Sequence, residues 1–174
     1  VWLTNGDDRD KPARLLLLVQ DQRGYLNLCM LLSRAWLSNQ YRGRAEIEPA
    51  WFEEAGADGL PLSSGLIALS GAMGGDIGMA LANGNEAGAE RAARHWAAVF
   101  PQRFYIELQR AELPGTDAYV QRAVQLAARL QLPVVATHPA DSSRGRVAML
   151  TTDVLIIGSE GAGARAAWEV ADRG

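Results

Sequence analysis

Residues 65–81 read GLIALSGAMGGDIGMAL, and this stretch combines the two kinds of element from which we expect the fold to be built. Leu66 to Leu69 form a short apolar run typical of a buried strand, and Ser70-Gly71 closes it. Asp76 to Ala82 reads as a short helix, which Asn83-Gly84 ends. A strand followed directly by a helix is the repeating unit of an α/β protein.

The same alternation continues on both sides of this stretch. Apolar runs predict further strands, and residues recurring at helical spacing predict further helices. This order favours an α/β fold with a mainly parallel sheet, although the local pattern fits an open sheet as well as a barrel. The predicted strands are 12–19, 104–108 and 133–136, and the predicted helices are 25–37, 85–100 and 116–130, with a short helix starting at Pro49.

The helix predicted over 25–37 has an apolar face at helical spacing. Its members are Tyr25, Leu28, Cys29, Leu32 and Trp36, and we expect this face to be buried. Cys29 is the single cysteine of the chain, so we expect a buried thiol and no internal disulfide. A chain without disulfides fits a reducing cytoplasm.

Size and charge narrow the classes of protein to consider. A chain of 174 residues suits one domain, or one domain plus a fragment. The net charge of −3 argues against direct binding to nucleic acid, which normally needs a basic face. The N-terminus has no apolar signal-peptide core, and the apolar runs are too short to span a membrane. We therefore expect a cytoplasmic protein with no membrane partner.

Four blocks of sequence carry a resemblance to a known family. In the same order, they resemble the PHP domain (polymerase and histidinol phosphatase) of the bacterial replicative DNA polymerase III alpha subunit. The blocks are LTNGDDRDKPARLLLLVQDQRGYLNLCMLLSRAW at 3–36, GLIALSGAMGGDIGMAL at 65–81, FPQRFYIELQR at 100–110 and LPVVATHP at 132–139.

The resemblance implies a fold and a set of partners. It implies part of a seven-stranded, TIM-like barrel over residues 1–139. It also implies a structural platform that holds the proofreading exonuclease subunit and braces the rest of the alpha subunit. DNA-directed DNA polymerase activity, a nucleotidyl transfer, would belong to the parent subunit, whose palm residues do not occur in this chain. We expect this segment to be inactive, with no catalytic residue.

A metal site is the second function that the resemblance raises. Active PHP domains are phosphoesterases in which several His and acidic side chains hold metal ions that activate water. This chain has two histidines, His95 and His138, which is few for such a cluster. We expect His95 to lie half-buried on its helix. A residual metal-dependent phosphoesterase stays as an alternative.

The matched positions show which ligands could remain. Metal-binding relatives often carry Cys where this chain has Ala72, and their late Asp-x-His motif falls at Pro139-Ala-Asp141. Glu107, His138 and Asp76 are the remnant candidates. We therefore expect no bound metal.

Residues 153–167, DVLIIGSEGAGARAA, carry a second resemblance. They resemble the first strand-turn-helix of FAD-binding domains of the succinate dehydrogenase and fumarate reductase type. Gly158 and Gly163 match its first and third glycines, Glu160 replaces the second, and Gly161 could partly compensate. An FAD-binding flavoprotein fragment is thus a further alternative. We favour a strand-turn-helix that completes the sheet, with strand 154–157 on a free edge and no cofactor.

These expectations divide the chain into three parts. Residues 1–139 form a partial PHP-type domain, 140–150 a linker, and 151–174 a Rossmann-like βα fragment. The function that we expect is a non-catalytic, partner-binding domain of a replicative DNA polymerase.

Overall fold

The computed structural model describes residues 1–109 and 115–137, together with the backbone of a strand at 155–157. These residues form α-helices and short strands, with 3-10 helices at Pro49–Glu53 and Ala72–Gly74. The strands are β1 (Trp2–Leu3), β2 (Ala13–Arg14), β3 (Leu16–Val19), β4 (Gln40–Tyr41), β5 (Arg44–Ile47), β6 (Leu66–Leu69), β7 (Phe104–Gln109), β8 (Val134–Thr137) and β9 (Leu155–Ile157). The helices are α1 (Gln22–Ser38), α2 (Asp76–Ala82), α3 (Glu86–Val99) and α4 (Thr116–Leu130).

The strands form two mixed sheets. The larger has the order β3-β6-β7-β8-β9, in which β6, β7 and β8 are parallel and both outer strands are antiparallel to their neighbours. The smaller has the order β2-β1-β5-β4, in which β1 and β5 are parallel. The α/β prediction is confirmed. The prediction of mainly parallel strands is wrong, because an apolar run marks a buried strand but carries no information on the direction of its neighbour.

The sequence pattern missed the smaller sheet. Residues 12–19 were predicted as one strand, but the chain divides at Leu15 into β2 and β3, which belong to different sheets. The polar stretch around β4 and β5 gave no strand signal. These strands form a hairpin whose turn residues, Arg42 and Gly43, have φ of 50° and 77°. Positive φ at both turn residues suits the right-handed twist of a hairpin.

The main core cluster contains residues of both sheets and of all four helices. On α3 the predicted face is confirmed: Ala89, Ala93, Trp96 and Phe100 are buried and Ala92 is half-buried. The Phe52 ring meets Trp96 edge-on at 5.9 Å and Phe100 at 5.4 Å between ring centroids. Such edge-on pairs add stabilisation beyond the area that they bury.

Helix α1 buries a different face from the one predicted. Gly24, Asn27, Leu31 and Ala35 are buried. From the predicted face, Tyr25, Cys29, Leu32 and Trp36 are exposed, and Leu28 is half-buried. The expectation of a buried Cys29 thiol is therefore wrong. The apolar residues of α1 surround the helix, so their spacing alone could not select the buried side.

Strand β9 lies where the sequence placed a C-terminal strand. It pairs antiparallel with β8, with Ala136 opposite Leu155 and Val134 opposite Ile157. It thus occupies an edge of the larger sheet. The predicted linker 140–150, the glycine turn 158–163 and the helix after it lie outside the described residues. In the part of the chain that is described, no helix has the length and apolar character to cross a membrane.

Candidate functional site

Polar side chains gather at the carboxyl ends of the three parallel strands. Ser70 follows β6 directly, Glu107 and Gln109 lie near the end of β7, and Thr137 ends β8. Because parallel strands end at one edge of a sheet, these residues come together although 67 positions separate the first from the last. In open α/β sheets, this edge is where ligands bind.

Glu107 is the centre of this cluster and is only 2% exposed. Its Oε1 accepts hydrogen bonds from the Thr137 hydroxyl at 2.5 Å and from Gln109 Nε2 at 3.0 Å. Its backbone N–H donates to Ser70 Oγ at 2.9 Å, and its carbonyl accepts from the Tyr119 hydroxyl at 2.6 Å. Neutral donors from β7, β8 and α4 therefore surround this residue, and Ser70 accepts from its backbone.

Tyr119 is the aromatic member of the cluster. It is buried on α4, and burial raises the pKa of its phenol above the ordinary value. The negative charge of Glu107 adds to the rise, while a contact with Ser70 opposes it. The phenol thus stays protonated and acts as the donor that ties α4 to β7.

Asp76, another remnant candidate, makes hydrogen bonds within α2 and to α3. Its Oδ2 accepts from Trp96 Nε1 at 2.7 Å, and its Oδ1 accepts from the Ile77 backbone N–H at 2.7 Å. Burial raises the pKa of this carboxyl, with its hydrogen bonds and the nearby His95 acting in the opposite direction. Asp76 therefore links α2 to α3 through the indole of Trp96.

His95, the histidine that the structure describes, does not add to the cluster. His95 is exposed on α3, with its ring 5.0 Å from that of Trp96, so the expectation of a half-buried His95 is wrong. His138 lies outside the described residues. Ala72, at the position where metal-binding relatives often carry Cys, is buried and begins a 3-10 helix.

The described side chains at this edge do not make up a metal cluster. Within residues 1–109 and 115–137, no three His, Cys, Asp or Glu side chains come close enough together to hold a metal ion. One carboxylate bound by a hydroxyl and an amide lacks the several ligands that a hydrolytic metal site needs. Gly158, Gly161 and Gly163 lie outside the described residues, so their binding of FAD remains a prediction.

Sequence reasoning found Glu107 but not the residues that surround it. Ser70, Gln109, Tyr119 and Thr137 are ordinary residue types with no motif spacing. A usable signal existed for three of them, because each lies at the end of a predicted parallel strand. Tyr119 gave no such signal, since only the packing of α4 on β7 brings its hydroxyl to the cluster.

A shallow groove of about 460 Å³ lies between α1 and the smaller sheet. Trp2, Leu32, Trp36 and Arg44 line it. The guanidinium groups of Arg14 and Arg44 lie 4.9 and 5.5 Å from the Trp2 ring centroid, so the tryptophan already has cationic neighbours. The groove contains no acid or nucleophile that points to catalysis.

The fold and this cluster agree with a comparison against protein families. The PHP domain matches residues 1–111, and the chain belongs to this family. Ser70, Glu107 and Gln109 of the polar cluster lie within the matched residues.

Individual relatives extend the match. The chain is 44% identical over 138 residues to DNA polymerase III subunit alpha of Pseudomonas fluorescens, which covers 79% of this chain and 11% of that protein. It is 45% identical over 141 residues to the same subunit of Neisseria meningitidis serogroup A, and the match covers 80% of this chain and 12% of that protein. It is 35% identical over 129 residues to the subunit of Escherichia coli K12, and the match covers 74% of this chain and 10% of that protein. The chain therefore spans about a tenth of the length of these curated relatives.

Proposed function

We propose that this chain is a non-catalytic, structural and partner-binding PHP segment of a bacterial replicative DNA polymerase III alpha subunit. The similarity to alpha subunits from several bacteria supports the assignment of the chain to such a subunit. In such a subunit, DNA-directed DNA polymerase activity belongs to other parts of the polypeptide. The role of this segment is to provide a folded platform.

The environment of Glu107 is the observation that carries this proposal. The acid is buried, and its carboxylate accepts hydrogen bonds from Thr137 and Gln109. A metal-dependent phosphoesterase needs an open site with several anionic and imidazole ligands converging on the ions. Glu107 instead joins β7 to β8, which is a structural use of a carboxylate at an edge where related folds bind ligands.

The proposal also names the partner proteins, the cellular compartment and the cofactors. The partners are the remainder of the alpha subunit and the proofreading exonuclease subunit, and the net charge of −3 supports no direct contact with DNA. In the longer subunit, the sheet would continue into the seven-stranded barrel that the family resemblance implies. The setting is the cytoplasm, and no cofactor is bound; FAD on the glycine turn and a divalent metal are the alternatives.

One preparation of the chain tests both parts of the proposal. Hydrolysis of a chromogenic phosphodiester is measured with Mn²⁺ or Zn²⁺, for the wild type and for Glu107→Gln. Gln keeps an acceptor for Thr137 but removes the charge that a metal would need. We expect both proteins to stay at the background rate, with no stoichiometric metal by elemental analysis and no flavin absorbance band.

The same preparation is mixed with the purified proofreading exonuclease subunit of Pseudomonas fluorescens polymerase III and passed over a sizing column. We expect the two proteins to elute together, earlier than either alone. Separate elution would contradict the partner-binding role. Metal-stimulated hydrolysis that Glu107→Gln abolishes would replace the proposal with the phosphoesterase alternative.

A further inference from the structure

The outer face of the smaller sheet carries a row of arginine and aromatic side chains. Successive residues of a strand point to opposite faces of the sheet, and Leu3, Ala13 and Ile47 are buried in the core. Their neighbours in sequence therefore point outward. In the strand order β2, β1, β5 and β4, the residues on this outer face are Arg14, Trp2, Glu46 with Arg44, and Tyr41.

Two arginines bind the same acid on this face. Glu46 is fully buried, and Arg9 donates to its Oε2 through Nε and Nη2 at 3.2 and 3.0 Å. Arg44 donates to its Oε1 through the same two atoms at 2.9 and 2.6 Å. The Arg44 guanidinium also lies 5.5 Å from the Trp2 ring centroid and 6.0 Å from that of Tyr41. These contacts hold the middle of the face in one arrangement.

Arg14 differs from these arginines, because no acid of the described part of the chain binds its guanidinium. Arg14 is exposed, and its guanidinium lies 4.9 Å from the Trp2 ring centroid. Within residues 1–109 and 115–137, its side chain forms neither an ion pair nor a hydrogen bond. Its aliphatic stem lies against Gly74, where a Cβ would be 3.0 Å from Arg14 Cδ. The stem and the ring thus orient a cation that is open to a ligand.

A guanidinium in this setting is a binding group for a carboxylate. Its planar fork can donate two parallel hydrogen bonds to one carboxylate, and the aromatic ring beside it restricts its orientation. Arginine, tryptophan and tyrosine are also enriched at the centres of protein interfaces. Because Glu46 already fixes the neighbouring arginines, binding would cost little additional side-chain freedom.

We propose that the outer face of the smaller sheet binds an acidic segment of a partner protein, and that Arg14 holds one carboxylate of this segment. An apolar side chain next to that acid would pack on the exposed part of Trp2. The inference rests on the proposed function, because it assigns a surface and a ligand chemistry to the partner-binding role. The open cation of Arg14 complements an acid even though the whole chain carries a net charge of −3.

A protein segment fits this face better than a nucleic acid. Single-stranded nucleic acids bind through bases that stack on open aromatic rings, but the Trp2 and Tyr41 rings already have guanidinium neighbours within 6.0 Å of their centroids. The loop between β1 and β2 contains Asp7, Asp8 and Asp10, which would repel the closely spaced phosphates of a nucleic acid. A single carboxylate carries one charge and is repelled much less.

Chemical shifts of the 174-residue chain test the proposal. The probe is a short acetylated peptide of alternating glutamate and leucine, and the control probe has glutamine in place of glutamate. We expect the acidic peptide to shift the Arg14 Nε–H and Trp2 indole N–H signals saturably, and the glutamine peptide to shift neither. Absence of a saturable shift with the acidic peptide at millimolar concentration would overturn the proposal.

Three variants separate local binding from total charge. Arg14→Gln removes the cation, and we expect the peptide affinity, measured from the Trp2 indole shift, to fall at least about tenfold. Arg14→Lys keeps the charge but loses the planar fork, so its affinity should be intermediate. Arg91→Gln removes an exposed arginine of α3 as the matched control, and its affinity should stay within about twofold of wild type. Equal affinities of Arg14→Gln and Arg91→Gln would contradict the role given to Arg14.

A nucleic acid would give a different result. If oligothymidylate shifted the same two signals at lower concentration than the acidic peptide, the face would be assigned to single-stranded nucleic acid and the proposal would be overturned. Hydrolysis and co-elution with the exonuclease subunit are measured without the peptide, so failure here can be told apart from failure of the proposed function.

Discussion

Three acids in this protein, two of them buried and Asp76 half-buried, have different partners and therefore different electrostatics. Glu46 is fully buried, and two arginines bind it: Arg9 at 3.0 Å and Arg44 at 2.6 Å. Asp76 and Glu107 instead accept hydrogen bonds from neutral groups. Burial without a paired cation favours the protonated form of an acid, which is why the pKa of Asp76 is raised.

Asp76 should make stability depend on pH in a definite direction. Its folded pKa lies above the unfolded value, so the folded state holds the proton more strongly and stability falls as pH rises from about 4 to the raised pKa. Asp76→Asn keeps an acceptor for Trp96 and removes the ionisation. We expect the melting temperature of Asp76→Asn, relative to wild type, to be higher at pH 7 than at pH 3.5.

An exposed acid is the control for this comparison. The pKa of Asp58 is lowered, chiefly by the hydrogen bond from the Leu60 N–H, with Arg23 adding to it. Ionised Asp58 favours the folded state. The melting temperature of Asp58→Asn, relative to wild type, should therefore be lower at pH 7 than at pH 3.5. Equal relative melting temperatures of Asp76→Asn at both pH values would contradict the role given to Asp76.

At the scale of elements, helix α1 shows how a close backbone contact selects the buried face. A Cβ at Gly24 would lie 1.8 Å from the Gly65 carbonyl oxygen, so only glycine allows α1 to approach the chain before β6. The Asp21 carboxylate accepts from the Gly24 N–H at 2.8 Å and caps the helix at this point. The apolar pattern of α1 favoured another face because it contains no information on this contact.

Gly24→Ala should destabilise the protein although alanine is the better helix former. The gain in helix propensity is about 1 kcal/mol. The clash with Gly65 requires a backbone shift, and overpacking of this kind costs about 1–3 kcal/mol or more. Because the clash is with backbone, we take the upper part of this range, about 2–3 kcal/mol. The expected net loss is then about 1–2 kcal/mol in the free energy of unfolding, measured by urea denaturation.

Gly6→Ala is the matched control, because a Cβ at Gly6 meets nothing within 4 Å. It should change stability by less than about 0.5 kcal/mol. If Gly24→Ala raised stability, α1 would not approach the larger sheet as closely as described.

At the scale of the whole molecule, the two edges of the larger sheet differ. Strand β9 covers the outer edge of β8, so that β8 has neighbours on both sides. The β3 edge carries exposed leucines instead. A mixed sheet with one covered and one apolar edge fits a domain that is built into a larger protein.

Deletion of residues 150–174 should destabilise the protein, because it removes β9 and leaves the β8 edge unpaired. Deletion of residues 158–174 is the matched control, since it keeps β9. We expect the first deletion to lower the melting temperature by at least roughly 2–4 °C relative to the second, corresponding to about 1 kcal/mol. Exchange of the β8 amides that bond to β9 should also become faster. Equal melting temperatures would show that β9 contributes nothing to the sheet.

Much of this protein followed from its sequence alone. The alternation of apolar runs and helical spacings determined the α/β class, the core face of α3 and the strand at 155–157. The reason is that buried residues are apolar and recur with the period of their helix or strand. The family resemblance pointed to the PHP domain. It also gave Glu107 as a remnant metal-ligand candidate, which stays a prediction.

The tertiary structure decided what depends on distant contacts. The direction of each strand, the buried face of α1 and the neighbours of Glu107 are set by residues far away in the sequence, such as Gly65 for Gly24 and Thr137 for Glu107. The bond from Trp96 gave Asp76 its structural role in the same way. Local pattern records whether a residue is buried, while the identity of its neighbours is determined only when the sheet and helices pack together.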